Sequence, residues 1–164
     1  MHDRATHDTS NCSIARSLEI LGERWTFLIL REASYGVTRF SDLEHVLGCA
    51  RNLLASRLHM LVREGILTRE PYHVPGERGR AHYLLTEKGE RLIPALMALM
   101  EWGDRYLADP AGEAVRATHH GCGHRVHVEM RCEAGHQVHS GNQVELKPGP
   151  GFRLASDPRT SARS

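Results

Sequence analysis

The feature that most constrains the fold is a pair of short amphipathic helical segments joined by a glycine-bearing turn. The first segment covers residues 40–47, with Ser41 and Glu44 at the spacing of a capping box, and Gly48 follows it. The second segment covers residues 51–64 and carries leucines at helical spacing. Two short helices in this arrangement predict a helix-turn-helix motif.

Patterns on both sides of the motif complete a small domain. Residues 66–71 and 81–85 are typical of two strands, and their connection is rich in Pro, Gly and Arg, like an exposed hairpin tip. Helices are also predicted at residues 12–21, 23–34 and 87–107. Thr86 is a suitable N-cap for the last of them. We therefore predict a mainly α-helical (α+β) winged helix-turn-helix fold with a small β-hairpin wing.

Composition predicts how the rest of the chain is organised. Residues 1–11 are polar and without periodicity, which indicates a flexible arm before the winged domain at residues 12–109. Residues 110–146 are rich in Cys and His and predict a small β appendage. Residues 147–164 are typical of a disordered tail.

The overall composition favours a soluble, cytoplasmic protein. Hydrophobic residues make up 40% and charged residues 25% of the chain. No run approaches the ~20 apolar residues that a bilayer span requires, so no membrane partner is expected. The polar start at residues 1–4 is not followed by the apolar run of a secretory signal. The four cysteines are scattered, which argues against a disulfide scaffold.

Positive charge is concentrated in the predicted motif and wing. The whole chain has a net charge of +1, whereas residues 51–80 hold six arginines against three glutamates. A helix fits the major groove of DNA, and its first turns can reach base edges. We therefore expect double-stranded DNA as the partner. The predicted contacts of the second helix are its outward side chains Arg51, Asn52, Ser56 and His59, with base contact most expected at Arg51 and Asn52. Arg57 lies near the boundary of the apolar face and is better suited to phosphate. The predicted contacts of the wing are Arg78 and Arg80, which suit the minor groove.

The last predicted helix is apolar on two sides, which is more than a small domain can cover. We expect part of it to contact a second subunit, and a fully buried core helix is the alternative. The two stripes are Leu92, Leu96, Leu99 and Tyr106, and Ile93, Met97, Met100 and Leu107.

Six linked motifs occur between residues 12 and 107 in a fixed order. They are Cys12-Ser13-Ile14, Leu21-Gly22-Glu23-Arg24-Trp25-Thr26-Phe27-Leu28-Ile29-Leu30-Arg31-Glu32, Arg39-Phe40-Ser41-Asp42-Leu43, Leu54-Ala55-Ser56-Arg57-Leu58, Tyr83-Leu84-Leu85-Thr86-Glu87-Lys88-Gly89 and Glu101-Trp102-Gly103. Together they resemble the HxlR-type transcriptional regulators, winged-helix relatives of the MarR group. The resemblance implies a homodimer on pseudo-palindromic operator DNA, joined through its first and last helices. We expect repression, because a dimer on a promoter can block polymerase by occupancy alone; activation stays open.

Cys12 matches the amino-terminal cysteine that some members of this family use as a thiol sensor. A helix start favours the thiolate, which is the reactive form of cysteine. Ser13 stands where family members often have Pro, and a small residue packed in the dimer interface is the alternative role for Cys12. A second possible signal is a small-molecule effector, with a cavity between the dimer helices and the winged domain as its candidate binding site.

The appendage holds the candidate metal ligands. Four nitrogen and sulfur ligands can close a tetrahedral structural zinc site, although the spacing here departs from paired C-x-x-C knuckles. No cofactor is required by the predicted function, and a small flap without metal is the alternative. The candidate zinc ligands are Cys122, Cys132 and His136, with His124, His119 or His120 as the fourth.

Two other functions compete with the regulator hypothesis. A protein–protein adaptor on a winged-helix scaffold would have a neutral second helix, and Arg51, Arg57 and Arg63 argue against it. A metal-dependent enzyme would need a general base beside an open metal position. The appendage offers Glu129 and Glu133 but no motif such as H-E-x-x-H. We therefore expect no enzyme activity.

Overall fold

The computed structural model describes residues 7–72 and 80–155 and contains the predicted helix-turn-helix and wing. The elements in chain order are α1 (Ser13–Leu21), α2 (Arg24–Ser34), α3 (Phe40–Leu47), α4 (Arg51–Arg63), β1 (Leu67–Pro71), β2 (Ala81–Leu85), α5 (Glu87–Glu90), α6 (Ile93–Tyr106), β3 (Met130–Arg131), β4 (Gln137–Val138) and a short 3-10 helix (Gly141–Gln143). The mainly helical α+β winged helix-turn-helix fold is confirmed.

The core of the domain lies beneath α4. Leu54, Leu58 and Leu61 recur at helical spacing and are at most 1% exposed. They belong to one cluster with Ile29 of α2 and Leu43 of α3. Burial of each such side chain contributes about 1.5–3 kcal/mol, so this packing fixes which side of α4 faces solvent.

The wing is joined to the helix-turn-helix through its second strand. Strands β1 and β2 are antiparallel, with Arg69 opposite Tyr83. The amide of Tyr83 donates to the carbonyl oxygen of Thr38 at 2.7 Å, and a β-bridge links Arg39 to His82. These bonds hold the start of α3 against the wing.

Two local predictions are wrong. The capping box at Ser41 does not form, because α3 begins at Phe40 and Ser41 already lies inside the first turn, where its hydroxyl donates to Asp42. The single helix predicted at residues 87–107 is divided into α5 and α6. Pro94, in the first turn of α6, has no amide hydrogen to continue a helix from α5. The predicted N-cap is confirmed, since the hydroxyl of Thr86 accepts from the amide of Gly89 at 3.1 Å.

Helices α1 and α6 leave a large apolar surface in contact with solvent. No residue of α6 is fully buried, so the alternative of a core helix is wrong. We call the exposed side chains the apolar face; they are Ile14, Leu18, Leu99, Trp102, Tyr106 and Leu107, which are 53–72% exposed.

The segment after α6 is tied to the domain by polar contacts. Glu101 accepts hydrogen bonds from the amide of Val128 at 3.1 Å and contacts the ring of His127 at 3.2 Å. Near the chain ends, the amide of Asp8 donates to the carbonyl oxygen of Arg153 at 3.1 Å. The division of the chain into arm, domain, appendage and tail stays a prediction. Within the ranges described, no helix is long and apolar enough to cross a membrane.

Candidate nucleic-acid interface

The solvent side of α4 carries a row of polar side chains. Asn52, Ser56 and His59 are spaced four and three residues apart, so they lie on one face, opposite the buried leucines. All three are exposed, and none has a side-chain hydrogen-bond partner within residues 7–72 and 80–155. We call them the polar stripe. The stripe spans about 10 Å along the helix at 1.5 Å per residue, close to the length of three base pairs.

Arg51 lies at the start of α4 and is held toward α3. Its guanidinium is 2.9 Å from Glu44 and lies over the ring of Phe40, at 4.7 Å from the centroid. The Arg51 side chain is 71% exposed. Exposed ion pairs contribute only about 0.2–1 kcal/mol, so this pairing is easily exchanged for another anion.

Arg57 is oriented differently from the polar stripe. Its side chain is only 25% exposed, and its Nη2 atom is 3.5 Å from the carboxylate of Glu23. The Nε atom is buried without a hydrogen-bond partner in the described part of the chain. Arg57 therefore links α4 to the beginning of α2, and it faces away from the bases that the stripe would meet.

Three arginines from different elements line one cavity. This arginine notch has a volume of 430 Å³ and lies between the starts of α3 and α4 and the wing. Among the residues that the structure describes, its lining contains three guanidinium groups and no carboxylate. The lining residues are Phe40, Ser41, Arg51, Arg69, Arg80, Ala81 and Tyr83. Arg78, the other predicted wing contact, lies outside the described residues.

Arg69 is the notch residue that sequence reasoning did not single out. The sequence shows it only as one of several arginines, and its place follows from the pairing of β1 with β2. It is exposed, and no ion-pair or hydrogen-bond partner is found for it in the ranges that the structure describes. The register of the predicted hairpin, which sets Arg69 opposite Tyr83, was the signal that could have placed it at the notch.

Cys12 is the N-cap of α1 and is half-buried. It lines a cavity of 400 Å³ between the residues just before α1, such as His7 and Asn11, and a segment near the other end of the chain that includes Leu146 and Phe152. The side-chain amide of Asn11 donates to the carbonyl oxygen of Gly151 at 3.2 Å across this cavity. The sequence did not predict that the C-terminal segment lies beside this thiol.

The predicted zinc ligands form two separate pairs. The Sγ atom of Cys132 is 3.6 Å from the His136 ring, and Cys122 pairs instead with His119 at 3.3 Å. The ring of His124 contacts the backbone carbonyl of Cys122. No group of three or more metal-ligating side chains forms among the residues described, so zinc binding stays a prediction.

One carboxylate of the appendage is held in its charged form by its neighbours. Hydrogen bonds from Arg131 and Gln137 lower the pKa of Glu129 below its ordinary value.

The family model for the HxlR-like helix-turn-helix matches residues 20–110, more than half of the chain. The chain belongs to the HxlR-like helix-turn-helix family. It is 44% identical over 149 residues to an uncharacterised HTH-type transcriptional regulator from Mycobacterium tuberculosis, which covers 90% of this chain and 92% of that protein. The similarity therefore extends into the segment after the winged domain. The chain is a transcriptional regulator of the HTH type, and it is not an enzyme.

Solved structures place the fold among transcription factors. The structure described as the transcription factor PA1607 superimposes with a TM-score of 0.75 and 32% identity, covering 85% of this chain and 96% of that one. The redox regulator HypR in its oxidised form has a TM-score of 0.54 and 26% identity, over 60% of this chain and 100% of that one. The first match extends well beyond the residues of the family model.

Proposed function

We propose that this HxlR-like regulator binds a pseudo-palindromic operator as a homodimer in the cytoplasm and represses transcription. The observation that carries the proposal is the polar stripe: Asn52, Ser56 and His59 are exposed on the helix that enters the major groove in this fold. Side chains of this kind are normally satisfied by water or by a ligand. A protein–protein adaptor would not need hydrogen-bonding groups spaced along a groove-sized helix.

The stripe and its flanks have different proposed roles. Asn52 is suited to a bidentate pair with adenine, and Ser56 and His59 extend the contact along the helix. Arg57 and the wing arginines, Arg78 and Arg80, are assigned to the DNA backbone and minor groove.

The apolar face supports the proposed homodimer. Ile14 of α1 is 72% exposed, and Leu107, just after α6, is 71% exposed. Large apolar side chains left exposed on two helices favour a protein interface there. A twofold dimer would present two copies of α4 to half-sites about 34–36 Å apart, one turn of B-DNA.

The proposal is tested by binding of the full chain to duplex DNA. Fluorescence anisotropy with fragments of the region upstream of its own gene should identify one fragment that is bound about 10³-fold or more tightly than a shuffled duplex. Affinity should fall steeply with salt as counterions are released. Equal affinity for all duplexes, or no binding, would contradict an operator-specific regulator and favour the adaptor.

A thiol-reactive signal is the proposed input at Cys12. HypR is described as a redox regulator, and Cys12 lies at the start of α1, beside the apolar face proposed to join the subunits. Alkylation with N-ethylmaleimide is expected to release operator DNA from the wild-type protein. Cys12→Ser should abolish this response, whereas Cys49→Ser, which also changes a half-buried thiol, should keep it. If N-ethylmaleimide still releases operator DNA from Cys12→Ser, Cys12 is not the sensor.

A small-molecule effector is proposed for a cavity between α2 and α6. Its volume of 540 Å³ is within the range of ligand pockets, and its lining is mainly apolar, with Phe27, Leu96 and Met100. Glu32 and Asp104 add carboxylates at its edge. Saturable binding of a fluorescent apolar dye, displaced by a compound that also changes operator affinity, would support this site.

A further inference from the structure

The arginine notch brings three guanidinium groups together in the lining of one cavity. Arg51 lies in α4, Arg69 in β1 and Arg80 just before β2, so the three converge only in the folded chain. Like charges that share a cavity repel each other, and a bound anion relieves that repulsion. Glu44 neutralises Arg51 from outside the notch, through an exposed ion pair.

The notch lies between the two parts of the protein that contact DNA in the proposed function. Helix α4 is assigned to the major groove and the wing to the neighbouring minor groove. One sugar–phosphate strand separates these two grooves, so this strand must pass between the helix and the wing. The notch occupies that position, next to the first residue of α4 and the base of the hairpin.

We propose that the arginine notch binds one phosphate group of the operator backbone in each half-site. Guanidinium groups form charge-assisted hydrogen bonds to phosphate oxygens, and several of them can surround one phosphate. The proposal rests on the proposed DNA-binding function. It makes Arg69 a DNA-binding residue, and it assigns Arg51 to the backbone, whereas Asn52 one residue later reads a base.

Arg69→Ala in the full chain is the test, because Arg69 is exposed and belongs to no ion pair in the described ranges. Its loss should weaken binding to operator and to shuffled duplex by the same factor, about tenfold. The slope of log affinity against log salt should fall by about one per protomer. Arg69→Lys should keep the slope. Arg91→Ala is the matched control, since Arg91 is an exposed arginine on the C-terminal side of α5, outside the notch, and it should change neither quantity.

Duplexes with a single neutral methylphosphonate then locate the phosphate. One position in each half-site should weaken the wild-type protein, and it should weaken Arg69→Ala by a smaller factor, because Arg51 and Arg80 still line the notch in the variant. An unchanged salt slope in Arg69→Ala, or no such position, would overturn the proposal. A loss confined to the operator would also overturn it, because a base contact would then be indicated. The wild-type protein separates the two claims: if it binds no duplex, the proposed function fails first.

Discussion

The polar stripe on α4 and the apolar face of α1 and α6 are both exposed, but they suit different partners. The stripe presents hydrogen-bonding side chains near a cluster of arginines, whereas the face presents Leu, Trp and Tyr side chains. Duplex DNA, which offers phosphates and base edges, suits the polar stripe. An apolar surface on another protein chain suits the apolar face. The two exposed surfaces of this chain therefore differ in the type of side chain, and that difference indicates which kind of partner each one suits.

Leu99→Glu is the substitution with the largest expected effect. A carboxylate in the apolar face should prevent two copies from associating, and sedimentation should then show a monomer. Operator affinity should fall by about 100-fold or more, because the two half-sites are no longer bound by linked α4 helices. Val46→Glu is the control for oligomeric state, since Val46 is an equally exposed apolar residue on α3, outside the apolar face. A Leu99→Glu protein that is still a dimer would show that the apolar face is not the contact between subunits.

Asn52→Ala should have an intermediate effect that is confined to the operator. Loss of one bidentate base contact costs about 1–3 kcal/mol, which corresponds to about 5–150-fold in affinity. Binding to shuffled duplex should stay unchanged in the same anisotropy measurement. Asn142→Ala, at an exposed position in the 3-10 helix, should have no effect. An equal loss on every sequence would mean that Asn52 contacts the backbone and not a base.

Glu44→Gln should have the smallest effect, in the opposite direction. The substitution removes the carboxylate that pairs with Arg51 at 2.9 Å, so more of the positive charge becomes available to DNA. Since an exposed pair is worth about 0.2–1 kcal/mol, binding to operator and shuffled duplex should both tighten by up to about fivefold. Weaker binding would show that the Arg51–Glu44 pair is needed in the complex.

The parts of the fold that depend on local periodicity could be predicted from the sequence. The leucines of α4 recur at helical spacing, so both its buried side and its polar stripe followed from the pattern. The end of α5 could not be placed in the same way, because the apolar pattern continues past Pro94 and only the missing amide hydrogen interrupts the helix.

The arginine notch needed the tertiary structure. Arg51, Arg69 and Arg80 are 18 and 11 residues apart in the chain and meet only when β1 and β2 pair beside α4. The cavity at Cys12 is a similar case, since residues 146–152 reach it from the opposite end of the chain. Contacts between distant segments leave no periodic signal in the sequence.

Photo-crosslinking from the two surfaces tests the central claim most directly. The photoreactive amino acid p-benzoylphenylalanine is placed at position 56 in the polar stripe or at position 99 in the apolar face, and each protein is irradiated with operator DNA. We predict that position 56 crosslinks to the duplex and that position 99 crosslinks to a second protein chain. A crosslink to protein from position 56, or to DNA from position 99, would contradict it.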